Sequence, residues 1–150
     1  MFNGRQTELS EEILQTDGFW GEISIAEFQK SRAIPLQIPF ELVKEALIYA
    51  VLSLEIDLKE VEDNYKAQGI QHISDLNGSK VNGINYPQQL YKKAVFARAK
   101  NELLPEFFTL SARELHEKRD LVSEQKSLQA EAVMAIRTLK GKTRGSVALV

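Results

Sequence analysis

The chain has no cysteine, so disulfides, thiolate metal sites and cysteine nucleophiles are all excluded. Histidine is nearly absent, with two in 150 residues, and tryptophan occurs once. The start, Met1 to Glu8, is polar and lacks the apolar run of a signal peptide. No apolar stretch approaches membrane-spanning length, since the longest, Ala46 to Leu54, is short and interrupted. What remains is a hydrophobic fraction of 43% and a charged fraction of 27%, ordinary for a soluble domain made inside the cell. At this length one domain with a substantial core is expected.

The formal net charge of −2 hides an asymmetry. Up to Tyr65 there are 13 acidic residues against 5 basic, a net −8; from Lys66 onward, 8 acidic against 14 basic, a net +6. Two readings fit. Acidic and basic helices can pack on one another inside a subunit, or one copy's acidic face can meet the next copy's basic face in a head-to-tail ring.

Residues 1 to about 17 form a short helix or an arm, with a weak apolar pattern at Leu9, Ile13 and Leu14. Asp17-Gly18-Phe19-Trp20-Gly21 is a turn carrying two large aromatics, whose bulk is wanted in a core or a contact. Ser24-Ile25-Ala26-Glu27 has the form of a capping box and predicts a short helix through about Arg32. Pro35 and Pro39 then fix a connection. A long helix is predicted from Pro39 to about Tyr65, with Leu42, Val43, Ala46, Leu47, Ala50, Val51, Leu54, Leu58, Val61 and Tyr65 as its apolar stripe. Ile70 to Tyr86, rich in Asn-Gly pairs, reads as a loop with one short turn at Ser74-Asp75-Leu76.

Pro87 opens a second long helix that Pro105 is expected to end near Leu104. Phe107 and Phe108 then plug the bundle, and Ser111-Ala112-Arg113-Glu114 is a second capping box. It starts a third long helix to Leu139, with Leu115, Leu121, Val122, Leu128, Ala132, Ala135, Ile136 and Leu139 inward. Its first half is thinly apolar, as suits a solvated helix or one resting on a neighbouring subunit. The tail, Ser146-Val147-Ala148-Leu149-Val150, is β-branched and apolar behind two glycines, and reads as a short strand. Nothing upstream reads as a strand to pair with it, so it is a frayed end or a strand waiting for another sheet edge. The expected fold is therefore all-α: a bundle of three long helices plus one or two short ones, with a strand-like tail. Residues 1–140 form the bundle, with 1–17 as a possible arm, and residues 141–150 form the partner-binding tail.

Catalytic reagents are missing. His116-Glu117 opens a zinc-protease pattern, but position i+4 is Asp120 where histidine is required. Gly141-Lys142-Thr143 imitates the end of a phosphate-binding loop, but Ile136 stands where its first glycine belongs. Glu55, Asp57, Glu60, Glu62 and Asp63 crowd one helix without a histidine and read as a solvated face. No enzyme activity, metal or cofactor is expected. Nucleic-acid binding competes better, because Arg137, Lys140, Lys142 and Arg144 form a basic stem with no acid after Glu131. Against it stand a pI of 5.8 and the absence of a recognition-helix motif. The same charges also complement the dipole at the end of their helix.

Several segments taken together resemble a family. They are Asp17-Gly18-Phe19-Trp20 followed by Ile23, Ile25 and Phe28, and Leu90-Tyr91-Lys92-Lys93-Ala94-Val95-Phe96. Ala99-Lys100 with Glu102-Leu103-Leu104 follows, then an ending through Ala135-Ile136-Arg137, Leu139, Gly141, Arg144, Val147 and Leu149-Val150. This order resembles the head completion (GPL-type) proteins of contractile-tailed temperate bacteriophages. Glu55 and Val81-Asn82-Gly83 depart from it, where the family has Asn and Ile-Asp-Gly.

The resemblance implies a structural virion protein. It would dock beneath the portal after DNA packaging as a ring of about twelve copies and offer a platform to the tail, terminator or next connector. By the same resemblance Val147, Leu149 and Val150 would add to a portal sheet edge. Arg144, Lys142, Lys140 and Arg137 would then meet acidic portal surface or packaged DNA, with Phe19 and Trp20 as further contact residues. The protein would be assembled from the bacterial cytoplasm into the virion, with no membrane partner.

Overall fold

The computed structural model describes residues 11–16, 18–114 and 121–141. Five helices account for most of them, and the strand elements are two-residue pairs. Strand β1 (Ile13–Leu14) pairs antiparallel with β2 (Ile23–Ser24), in the register Ile13 to Ser24 and Leu14 to Ile23. Helix α1 (Ile25–Ser31) follows directly, and the Ser24 side chain accepts from the Glu27 N–H at 3.2 Å, as the capping box requires. Glu27 itself does not reach back to the cap. It pairs across the molecule with Lys92.

Helices α2 (Phe40–Asp57) and α3 (Lys59–Ala67) stand where one helix was expected. The seam is the single residue Leu58, at φ −103° and ψ 11°. Hydrogen bonds persist on both sides of it, from Leu58 N–H to Leu54 and from Glu62 N–H to Leu58, so the bend costs little. It keeps Leu58 fully buried. A one-turn 3₁₀ segment at Ile73–Asp75 and a hairpin of β3 (Lys80–Val81) and β4 (Ile84–Asn85) lead into α4 (Tyr86–Glu114). The hairpin turn uses Asn82 at φ 51° and Gly83 at φ 79°, as an Asn-Gly pair allows.

Helix α4 does not stop at Pro105 but runs 29 residues through it. Proline removes one ladder bond and crowds the preceding turn, at about 3 kcal/mol in a free helix. Burial of Leu103, Leu104 and Phe107 against the core outweighs that here. The Lys100 ammonium also sits 5.5 Å from the Phe107 ring centre. Ser111 therefore lies inside a helix rather than capping a new one, and the last described helix, α5, spans Leu121–Leu139. Val122 and Phe108 are exposed, against the expected inward positions, while Phe107 is buried.

The expectation of an all-α bundle of three long helices is thus corrected. The fold is mostly helical with two small two-stranded sheets, and all three expected long helices change their bounds: the first divides at Leu58, the second runs on to Glu114, and Arg113, the expected start of the third, lies in α4. One continuous core joins Leu14, Phe28, Leu47, Leu54, Val95 and Ile136. The fully buried alanines Ala94, Ala97 and Ala99 let α4 lie close to its neighbours α2 and α5.

Candidate functional site

The aromatic turn points inward. Phe19 and Trp20 are 2% and 3% exposed. Trp20 stacks on Tyr91 at 5.1 Å and 9°, meets Phe19 edge-on at 5.1 Å, and Phe19 stacks on Tyr65 at 5.8 Å. The Phe19 carbonyl accepts from the Ile73 N–H at 3.0 Å. Of the two destinations open to these rings, core and contact, the fold gives them the core. They tie the N-terminal strands to α3 and α4. Burial raises the Tyr91 phenol above its ordinary range, with the Glu55 charge adding to it.

Arg137 and Lys140 are exposed at the end of α5, and Gly141, at φ 78°, ends that helix in the left-handed conformation that glycine accepts. Lys142, Arg144, Val147, Leu149 and Val150 lie outside the described residues.

The charge asymmetry is partly consumed within the subunit. Arg98 on α4 grips the end of α2 through Asp57 and Ser53, and Lys92 holds Glu27 of α1. A reverse pair joins Arg32 to Glu131 of α5 through both guanidinium nitrogens. Asp57 is therefore paired although still partly exposed, while Glu62, 9% exposed and bonded to Lys66 at 2.7 Å, does not belong to a solvated acidic face. No cluster of His, Asp or Glu suited to a metal is found among the described residues. His72 is exposed, and His116 is outside them.

The surface feature that the first stripe of apolar residues does not predict is on the opposite side of α2. Ile48, Leu52 and Ile56, at successive four-residue intervals, are 40%, 56% and 77% exposed, with Tyr49 beside them. Such spacing sets the three side chains in one row along the helix. A groove of about 570 Å³ runs between this row and β1, lined by Leu14, Gln15, Thr16 and Gly18 on one side and Ile48, Val51, Leu52 and Glu55 on the other. A salt bridge of 2.6 Å from Lys44 to Glu12 closes one end. At the other, Glu55 packs so near Gly18 that a Cβ there would stand 2.9 Å from its Oε1. A second, smaller cleft of about 330 Å³ on the other flank of α2 puts Tyr49 and Ser53 opposite Leu128, Ala132 and Val133 of α5.

Burial pushes the Glu55 carboxyl above its ordinary range, and the Glu62 charge adds to the shift. Between the unfolded and folded pKa values the folded chain holds more protons, so stability falls as pH rises through that window. Glu55→Gln should therefore raise Tm slightly at pH 7, on the order of 1–2 °C. The gain should fade as pH drops into the carboxylate range, which thermal melts at pH 4 and pH 7 would show. An equal gain at both would mean that ionisation of Glu55 is not the cause.

Among the described residues no helix is long and apolar enough to cross a membrane. No solved structure matches the chain. A curated relative from Haemophilus phage HP1 (strain HP1c1), named "Probable head completion/stabilization protein", is 54% identical over 150 residues, covering all of both chains. The family model for phage head completion protein (GPL) matches residues 14–150, from Leu14 through the aromatic turn and all the described helices to the tail. The chain belongs to the phage head completion protein (GPL) family, whose members are structural components of the virion.

Proposed function

We propose that this head completion protein is a connector subunit that docks as a ring on the portal once DNA is packaged and presents a platform to the tail or the next connector. The observation that carries this reading is α2. It is apolar on both sides, and a helix of that kind is at home between packed layers rather than facing water. A lone subunit leaves Ile48, Leu52, Tyr49 and Ile56 in solvent. Neighbouring copies in a closed ring would cover them, and many small contacts would add to a firm seal around the channel. About twelve copies would match portal symmetry, in keeping with the family resemblance.

Contacts beyond the subunit in this reading are made by the basic end of α5, Arg137 and Lys140, and by the tail that follows, with Lys142, Arg144, Val147, Leu149 and Val150. The role is mechanical and interfacial, without turnover. Contact between the stem and packaged DNA would be salt-dependent and blind to sequence.

Co-sedimentation with portal complexes of the same phage tests the proposal. The full chain is expected to pellet with portal at a fixed ratio, and that ratio should persist at moderate salt. Absence of co-sedimentation would end the portal reading. Pelleting with DNA alone, abolished by salt, would favour an accessory DNA-binding role in its place.

A further inference from the structure

We infer that the groove between β1 and the outer row of α2 receives the C-terminal tail of a second copy. The tail backbone would run along the open edge of β1, with Val147 and Leu149 set on Ile48 and Leu52. This deepens the ring reading above and rests on it. Three observations converge on the same groove.

The first is a sheet edge. The Glu12 carbonyl accepts from the Ile25 N–H, so Glu12 and, by alternation, Leu14 face β2. The main-chain groups of Ile13 and Gln15 then face the other way, and among the described residues β1 pairs with β2 alone. A two-residue strand with one open edge is an acceptor for β-augmentation, in which main-chain bonds supply affinity and alternate side chains supply specificity. The second is the floor. Beside Gln15 of that edge lie Val51, Leu52 and Ile48, a surface suited to apolar side chains spaced two residues apart, as Val147 and Leu149 are.

The third is charge. Glu55 lines the groove, and Glu41 and Glu45 stand exposed on the same helix, while Asp57 is already held by Arg98. The segment from Lys140 to Val150 carries three cations and no acid. Such pairing steers association and fixes orientation more than it adds affinity. The donor is a neighbour because of where α5 lies. Ser53 and Tyr49, on the α5 flank of α2, line the cleft shared with Leu128 and Val133, while Val51 and Glu55 line the groove on the far flank. Helix α5, which the tail follows, packs on that opposite flank, whereas a neighbour's tail can approach the groove from outside. Repeated around a ring, this is a heterologous, closing contact.

The absence of cysteine gives a clean test. Two full-length single variants, Leu52→Cys and Leu149→Cys, are mixed under mild oxidation, both free at high concentration and on the portal. A control mixture replaces Leu52→Cys by Val81→Cys, which is 73% exposed on the β3–β4 hairpin. The expected result is a mixed dimer at least tenfold above the control. No excess in either condition would overturn the inference. So would a doubly substituted chain, carrying Leu52→Cys and Leu149→Cys, that closes only on itself at every concentration. A mixed dimer without portal co-sedimentation would leave the tail contact standing and remove the portal reading. Co-sedimentation without the mixed dimer would do the reverse.

Discussion

Replacing Trp20 with alanine is expected to cost about 3–5 kcal/mol, the range for deleting a large buried aromatic. Domains of this size hold only about 5–15 kcal/mol in total, so the variant should unfold well below the parent's urea midpoint. The size of the effect comes from what the indole supports. It stacks on Tyr91 of α4 and meets Phe19, which in turn stacks on Tyr65 of α3. Removing it opens a cavity shared by the N-terminal turn and two helices. Trp20→Phe should cost far less, about 1 kcal/mol, because a ring still fills the site. It also removes a buried indole N–H that has no protein acceptor among the described residues. The phenylalanine variant further separates core from contact. If Trp20 acts only through packing, Trp20→Phe should retain portal binding at near-parental affinity. Loss of portal binding in a stably folded Trp20→Phe protein would give the indole a direct contact after all.

The sequence announces helices far better than it announces their ends. Ser24 and Glu27 mark the start of α1 because a capping side chain is a local chemical event that needs no tertiary context. The seam at Leu58 has no such marker. It contains neither glycine nor proline, and a one-residue bend leaves the three- and four-residue apolar spacing intact, so α2 and α3 read as one helix. Pro105 misleads in the opposite direction. Its cost is intrinsic and legible, but the burial of Phe107 that overrides it depends on a core formed by distant segments. Strands of two residues are illegible for a plainer reason, since an alternating pattern cannot be recognised in Ile13–Leu14 or Ile23–Ser24.

The groove was hidden by the same logic. Ile48, Leu52 and Ile56 have helical spacing of their own, yet they lie outside the stripe formed by Val43, Leu47, Ala50 and Leu54. A helix with two apolar faces looks, to a search for one face, merely rich in apolar residues. The second row stands out only when the first is known to be consumed by the core. The acidic and basic halves of the chain are similar. Their imbalance is plain in the sequence, but only the folded chain shows that Lys92 and Arg98 are already engaged with Glu27 and Asp57. Outside these pairs stand Glu41 and Glu45 on the exposed side of α2 and the basic end of α5.

Asn85→Ala is expected to lose about 2–5 kcal/mol, an unusually large effect for a residue in a hairpin. Two roles add. Asn85 and Gln88 bond reciprocally: the Gln88 N–H donates to Asn85 Oδ1 at 2.9 Å, and the Asn85 N–H donates to Gln88 Oε1 at 3.0 Å. This capping box starts the 29-residue α4, and losing the cap costs about 1–2 kcal/mol. Asn85 Nδ2 also donates to the Ile73 carbonyl at 2.9 Å inside the core. Alanine leaves that carbonyl buried without its donor, at about 1–3 kcal/mol. Asn85→Asp separates the roles. Its carboxylate still accepts from Gln88 and suits the helix N-terminus, but cannot donate to Ile73. It should therefore fall between parent and alanine in denaturant unfolding. Hydrogen exchange gives the sharper reading, because the Ile73 N–H donates to the Phe19 carbonyl and so reports on the turn beside the β1 groove. Its protection should drop in both variants, while the first turn of α4 should lose protection only in the alanine variant. Equal loss in both places for both variants would show that Asn85 acts as a single packing unit rather than as a cap and a core donor.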